Sequence, residues 1–299
     1  MVRSQKTVAL LSGLIASLTI ASAAGQVSLP AKEGSVKFAV IGDSGTGGSA
    51  QIKIARQLAA ARTQFPFTFA VMLGDNVYGR ERPDDFADKF ERPYKALLDA
   101  GVKFYAALGN HDDPNQRFYK PFNMNGERYY SFKAPHGSVR FFALDSNYMD
   151  KAQLEWLEKE RAASDSQWKI AYFHHPLYSS GDKHGADEVL RDQLEPLFVK
   201  HGVNLVLTGH EHFYERIKPQ KGITHIVAGS AAKLRRGNIG PSQMSAKGFD
   251  QGYAFLLMEI DGDVLQFQTI NEVGKTVDAG NITRDDSKTV ANGLRRLPK

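Results

Sequence analysis

Apolar and polar positions come in blocks along this chain, and the period of each block predicts what it forms. Val36 to Ile41 is a mostly apolar run of strand length, and Ala50 to Arg62 has the spacing of an amphipathic helix. Phe67 to Leu73 and Val102 to Leu108 read as further strands, separated by a helical pattern from Asp85 to Asp99 that Pro93 interrupts. Val139 to Leu144 predicts a fourth strand, followed by a helix from Lys151 to Ala163 that Asp150 is placed to cap. A strand from Trp168 to Phe173, a helix from Glu188 to Lys200 and a strand from Val203 to Leu207 continue the alternation. Then the helices stop. Thr224 to Ala228, Tyr253 to Ile260 and Val264 to Ile270 are strands, the last two joined by the turn Asp261-Gly262-Asp263.

Alternating strands and helices that end in consecutive strands predict an α/β domain with more than one sheet. At 299 residues the chain is long enough to bury a substantial core. No internal repeat or low-complexity linker divides it, so one main domain is expected over residues 25–280. From Asp278 onward the sequence is polar and weakly patterned, which predicts a loosely ordered tail over 281–299.

The N-terminus changes the picture. Arg3 and Lys6 precede an apolar run from Val8 to Ile20, and small residues follow through Ala21-Ser22-Ala23-Ala24-Gly25. A basic head, a short apolar centre and a small-residue end describe a signal peptide over residues 1–24, and the run falls short of the ~20 residues needed to span a bilayer. The expectation is an exported chain, periplasmic or secreted, soluble and without stable membrane insertion. Cysteine is absent, so no disulfide staples the fold, and any metal must be held by His, carboxylate, amide or phenolate groups. Loss of Arg3 and Lys6 lowers the formal net charge from +5 to +3. That mild basicity suits an anionic substrate but lacks the dense basic patch of a nucleic-acid binder.

Five polar clusters each follow a predicted strand, where ligand-binding groups collect in open α/β sheets. They are Gly42-Asp43-Ser44-Gly45, Gly74-Asp75-Asn76-Val77-Tyr78, Gly109-Asn110-His111-Asp112, His174-His175-Pro176 and Gly209-His210-Glu211-His212. A Gly-Asp pair after a strand is usually a turn, and an isolated loop histidine is usually solvated. His-x-His on an extended segment is stronger, because period two puts both imidazoles on one face. Five such clusters in series point to a metal site.

The series resembles the calcineurin-like metallophosphoesterase family, whose motifs run Asp, Gly-Asp, Gly-Asn-His-Asp/Glu, His and Gly-His-x-His. The resemblance covers Val36 to Ile217. Gly-Asp-x-x-Tyr at Gly74 to Tyr78, with the small-residue loop Gly229-Ser230-Ala231-Ala232-Lys233, is similar to the purple acid phosphatases, particularly the small tartrate-resistant type. The resemblance implies a two-sheet β-sandwich flanked by helices, and two metal ions at its rim. It assigns Asp43, Asp75, Tyr78 and His212 to the first ion, and Asp75, Asn110, His174 and His210 to the second, with Asp75 as the bridge.

A phenolate forms near pH ~10 in water, so holding one at lower pH calls for a strongly acidic cation, which favours Fe3+ in the tyrosinate site. Two imidazoles and an amide suit Fe2+, Zn2+ or Mn2+ in the second. The implied activity is acid phosphatase, hydrolysis of phosphate monoesters on small molecules by a metal-bound hydroxide. His111 and His184 match positions that contact substrate and assist proton transfer, His184 on a loop read as flexible enough to swing towards the leaving group. His175 matches a variable position and is expected outside the ligand set, while His136, His201 and His225 read as structural or solvated. Lys233, Arg235 and Arg236 are either a solvated basic loop or a rim that attracts phosphate. Two other readings stay open: a phosphodiesterase or nucleotide pyrophosphatase on the same scaffold, and a non-catalytic binding protein. The oligomeric state is not legible.

Overall fold

The computed structural model describes residues 26–284. The leader read at residues 1–24 lies outside the described residues, as do 285–299. In chain order the elements are β1 (Val36–Ile41), α1 (Ser49–Gln64), β2 (Phe69–Met72), α2 (Pro83–Phe86), α3 (Lys95–Asp99), β3 (Lys103–Ala106), β4 (Tyr130–Lys133), β5 (Val139–Ala143), α4 (Lys151–Ala162) and β6 (Trp168–Phe173). They continue with α5 (Glu188–Lys200), β7 (Leu205–Thr208), β8 (Tyr214–Gln220), β9 (Ile223–Ala228), β10 (Ser245–Phe249), β11 (Ala254–Asp261), β12 (Val264–Asn271) and β13 (Thr276–Thr283).

Two mixed sheets form, ordered β13-β12-β11-β1-β2-β3 and β10-β8-β9-β7-β6-β5-β4. In the first, β1, β2 and β3 run parallel, and β1 pairs antiparallel with β11. In the second, β5, β6, β7 and β9 run parallel. Each parallel set ends at a single edge, so the loops following its strands are gathered together.

Period two decides what lies between the layers. Phe141, Ile170, Tyr172, Leu205 and Leu207 join the core shared with Phe38, Phe69 and Leu257 of the first sheet. Their neighbours Phe142, Ala171, Phe173 and Val206 face the other way, onto Leu157 of α4 and Leu190, Leu194 and Phe198 of α5. Phe141 meets Phe38 and Phe69 edge-on at 5.1 and 5.4 Å, so aromatic rings join the two sheets. Asp150 caps α4 by accepting the Gln153 N–H, as its position predicts.

Three readings are corrected. The helical stretch around Pro93 is divided into α2, a π turn over Ala87–Glu91 and α3, because proline cannot donate the bond that would continue it. The residues from Asp278 to Thr283 are not loose: they belong to β13, which pairs with β12. Strands β4, β8 and β10 were not anticipated; β8 buries Glu215 beside its apolar residues, and β10 is an edge strand with little apolar pattern.

Candidate metal centre

Asp43 follows β1, Asp75 follows β2 and Asn110 follows β3, all in the first sheet; His174 follows β6, and His210 and His212 follow β7, in the second. Asp43, Asp75 and His210 occupy the left-handed region, at φ of 55°, 52° and 67°. Such backbone costs about 1 kcal/mol or more per residue and persists where its surroundings impose it. Crowding is part of that imposition. A Cβ on Gly109 would lie 2.2 Å from the Asp75 nitrogen, and one on Gly209 would lie 2.6 Å from Asp43 Oδ2, so only glycine lets these loops approach.

The seven residues assigned as ligands converge. The Tyr78 hydroxyl donates to Asp43 Oδ1 at 3.3 Å, and His212 Nε2 lies 3.4 Å from the same oxygen. His174 Nε2 lies 3.5 Å from Asp75 Oδ1 and 2.9 Å from Asn110 Oδ1, and His210 Nδ1 is 2.9 Å from Asn110 Oδ1 and 3.1 Å from His174 Nε2. Donor atoms of Asp43, Asp75 and His174 all lie within 4.8 Å of one another.

This donor set fits cations, for reasons visible in the geometry. His174 Nδ1–H donates to the Leu73 carbonyl at 2.9 Å, which makes Nε2 the ring atom whose lone pair is open to a cation. That lone pair meets the Asn110 carbonyl oxygen and the His210 ring nitrogen, an arrangement of acceptors that a cation would satisfy. Asp43 and Asp75 are fully buried, and among the described residues their ion-pair partners are imidazoles rather than Lys or Arg. Burial pushes the Asp43 carboxyl well above the usual range, and burial with the Asp43 and Asp75 charges pushes the Tyr78 phenol far up. Ionised groups in such a place need a compensating charge. Burial, reinforced by neighbouring histidines, lowers His210 to about 2, and burial with Arg235 lowers His212 to about 4. Both imidazoles therefore keep ligating lone pairs under acidic conditions.

His111 and His184 flank the cluster. The His111 ring lies 5.2 Å from that of Tyr78, and the backbone N–H of His111 donates to Asp75 Oδ1 at 3.0 Å. The exposed His184 ring lies 4.4 Å from that of His210. Its loop does not hang free, contrary to the swinging segment expected. Asp182 N donates to the Asn238 carbonyl at 2.9 Å, and Gly240 N to the Ser180 carbonyl at 2.8 Å.

His175 is nearer than the sequence suggested. Its ring lies 4.5 Å from that of His210, but its Nδ1 pairs with Ser146 Oγ at 2.9 Å. The basic loop also touches the site. Lys233 Nζ sits 4.3 Å over the Tyr78 ring, and Arg235 N donates to the His212 carbonyl at 3.0 Å. Sequence reasoning gave no role to Asp112. This buried carboxylate accepts the N–H groups of Asn76 (2.8 Å), Val77 (3.1 Å) and Gly109 (2.8 Å), fixing the loop that carries Asp75. A cleft of about 390 Å³ opens beside the cluster, with Asn110, Ser146, Asn147, Tyr148, His175 and Asp187 on its walls.

The model of the calcineurin-like phosphoesterase family matches residues 36–214. Purple acid phosphatase 17 of Arabidopsis thaliana is 29% identical over 254 residues, covering 73% of this chain and 75% of that protein. Tartrate-resistant acid phosphatase type 5 of Homo sapiens is 28% identical over 236 residues, covering 65% and 72%. Among solved structures, purple acid phosphatase PPD1 from yellow lupin (Lupinus luteus) seeds superposes with a TM-score of 0.68 at 20% identity, covering 85% of this chain and 55% of that one. GAP50, the anchor in the inner membrane complex of Plasmodium, superposes with a TM-score of 0.71 at 20% identity, covering 89% and 95%. Structural likeness at these identities shows the fold. Among the described residues no helix is long and apolar enough to cross a membrane.

Proposed function

The chain belongs to the calcineurin-like phosphoesterase family, and on that basis we propose that it is a binuclear acid phosphatase acting on phosphate monoesters of small molecules. The observation that carries this reading is the convergence of seven donors from both sheets, with the Tyr78 phenol turned onto Asp43. Asp43, Tyr78 and His212 would hold Fe3+, Asn110, His174 and His210 would hold Fe2+, Zn2+ or Mn2+, and Asp75 would serve both. Two such cations supply Lewis acidity to a phosphoryl group and to water.

The residues do the rest. Leu73 aims His174 through its Nδ1–H, and Asp112 holds the Asp75 loop in register. His111, beside Tyr78, is placed to contact the phosphoryl group. His184 is placed to give a proton to the departing alcohol oxygen, which otherwise leaves as a poor, charged group. The neighbouring cleft gives the alcohol portion of the ester room to lie. The leader at residues 1–24 supports export to the periplasm or beyond.

The test combines elemental analysis, a visible spectrum, and rates on p-nitrophenyl phosphate and its bis-ester. Two metals per chain, a tyrosinate–iron band and preference for the monoester are expected. Preference for the bis-ester would replace the monoester reading with a diesterase. A metal-loaded protein inert on both would overturn the enzymatic reading.

A further inference from the structure

Two carboxylates buried behind the metal centre bind the His184 loop to the segment that carries two of the ligands. Glu211, between His210 and His212, accepts the N–H groups of His184 (3.1 Å) and Gly185 (2.6 Å) on Oε1, and the Asn238 side-chain amide (3.0 Å) on Oε2. The Arg235 guanidinium lies 3.6 Å from that Oε2. Four residues on, buried Glu215 accepts from Ser180 N at 2.9 Å, from Ser180 Oγ and from Ser245 Oγ. Gly181 passes so close that a Cβ on it would meet Glu211 Oε1 at 2.3 Å.

The segment between β7 and β8 bends, with His210 at φ of 67°, so that His210 and His212 face the cluster while the side chain of residue 211 is turned away from it. That direction is the one in which the 181–185 loop lies. A carboxylate buried there is costly unless it is fully hydrogen-bonded, and its partners include the amide of His184 itself.

We propose that Glu211 is a positioning residue, which fixes the 181–185 loop on the ligand segment so that His184 stands at the leaving-group side of the site. This rests on the phosphatase reading. In the reaction the P–O bond to the alcohol breaks and a P–O bond to the water oxygen forms. The alcohol oxygen takes the ring proton of His184, and the proton given up by water is returned to His184 through solvent.

The test compares Glu211→Ala, Glu211→Gln, His184→Ala and the Glu211→Ala/His184→Ala double variant, each assayed for metal content. With glycerol phosphate, whose leaving group needs a proton, Glu211→Ala should lower kcat by about 10- to 100-fold. With p-nitrophenyl phosphate, which leaves more easily, the loss should be only about threefold. The double variant should be no worse than His184→Ala, because both changes remove one function. Glu211→Gln keeps an oxygen facing the loop and should recover most of the activity. Independently of turnover, hydrogen exchange at the His184 and Gly185 amides should quicken in Glu211→Ala.

Equal losses on both esters, additive losses in the double variant, unchanged amide exchange, or loss of metal from Glu211→Ala would each overturn the proposal. Absence of turnover by the unaltered protein would instead defeat the phosphatase reading, and the exchange measurement would still decide what Glu211 holds.

Discussion

Replacing His225 with leucine should flatten the acid side of the stability curve. His225 lies on β9 at 3% exposure, its ring 4.8 Å from that of Tyr178, and among the described residues neither ring nitrogen has a hydrogen-bond partner. Burial lowers its pKa from 6.5 to about 3, with Glu195 pulling weakly the other way. Between those two values the unfolded chain binds a proton that the folded chain refuses, so stability is lost as pH falls through this window. Relative to pH 8, the loss from this one residue is about 2 kcal/mol at pH 5 and about 3 kcal/mol at pH 4. Urea midpoints of the metal-loaded protein at pH 8, 6 and 5, for parent and His225→Leu, measure it. Between pH 8 and pH 5 the balance should shift by about 2 kcal/mol in favour of the variant. Acid release of metal is common to both proteins and cancels in the difference. A parent–variant difference that stayed constant with pH would refute the reasoning, because His225 would then take up its proton inside the fold without penalty.

If Asp75 serves both ions as proposed, Asp75→Asn should lose metal on elemental analysis and lower the phosphatase rate more than about a hundredfold, since a neutral amide would replace the charge between them. Tyr78→Phe should abolish a tyrosinate–iron band while shifting stability by only about 1 kcal/mol, because what is lost is the long hydrogen bond of its hydroxyl to Asp43, at 3.3 Å. Arg161 is 1% exposed between Phe142 and Phe198, its guanidinium without a hydrogen-bond partner among the described residues, and burial lowers its pKa to about 9. Arg161→Met should therefore raise the thermal midpoint, by roughly 1–2 kcal/mol of stability, and a lower midpoint would show that stacking on the two rings outweighs desolvation.

What could be read from the chain was whatever period and position record. β1 and β6 have the predicted bounds because each is a mostly apolar block with clear ends, and α5 because its apolar residues recur at helical spacing. The donors were legible because each follows directly on such a block. Strand β8 was hidden by its charges, which pairing makes tolerable: Arg216 binds Asp278 of β13 at 2.8 Å, a partner 62 residues away. Asp278 was misread for the same reason, since its polarity suggests a tail until Tyr214 and Arg216 are placed beside it. Asp112 and Glu211 stood inside quoted motifs, yet their work depends on which backbone amides surround them. Spacing records at most which face a side chain takes, not what waits there, and at Glu211 the bend at His210 breaks even the alternation expected of His-x-His.

Carboxylate, amide and phenol donors follow the strands of one sheet, and the imidazoles follow those of the other. With ions bound as proposed, the cations act as rivets through the seam of the sandwich, in a chain whose sequence contains no cysteine to make a covalent one. Unfolding must then release them, and each adds about 4 kcal/mol when free metal exceeds its dissociation constant a thousandfold. Chelation would loosen the whole domain rather than one loop. Folding yield would accordingly follow the supply of metal, not the oxidising power of the compartment.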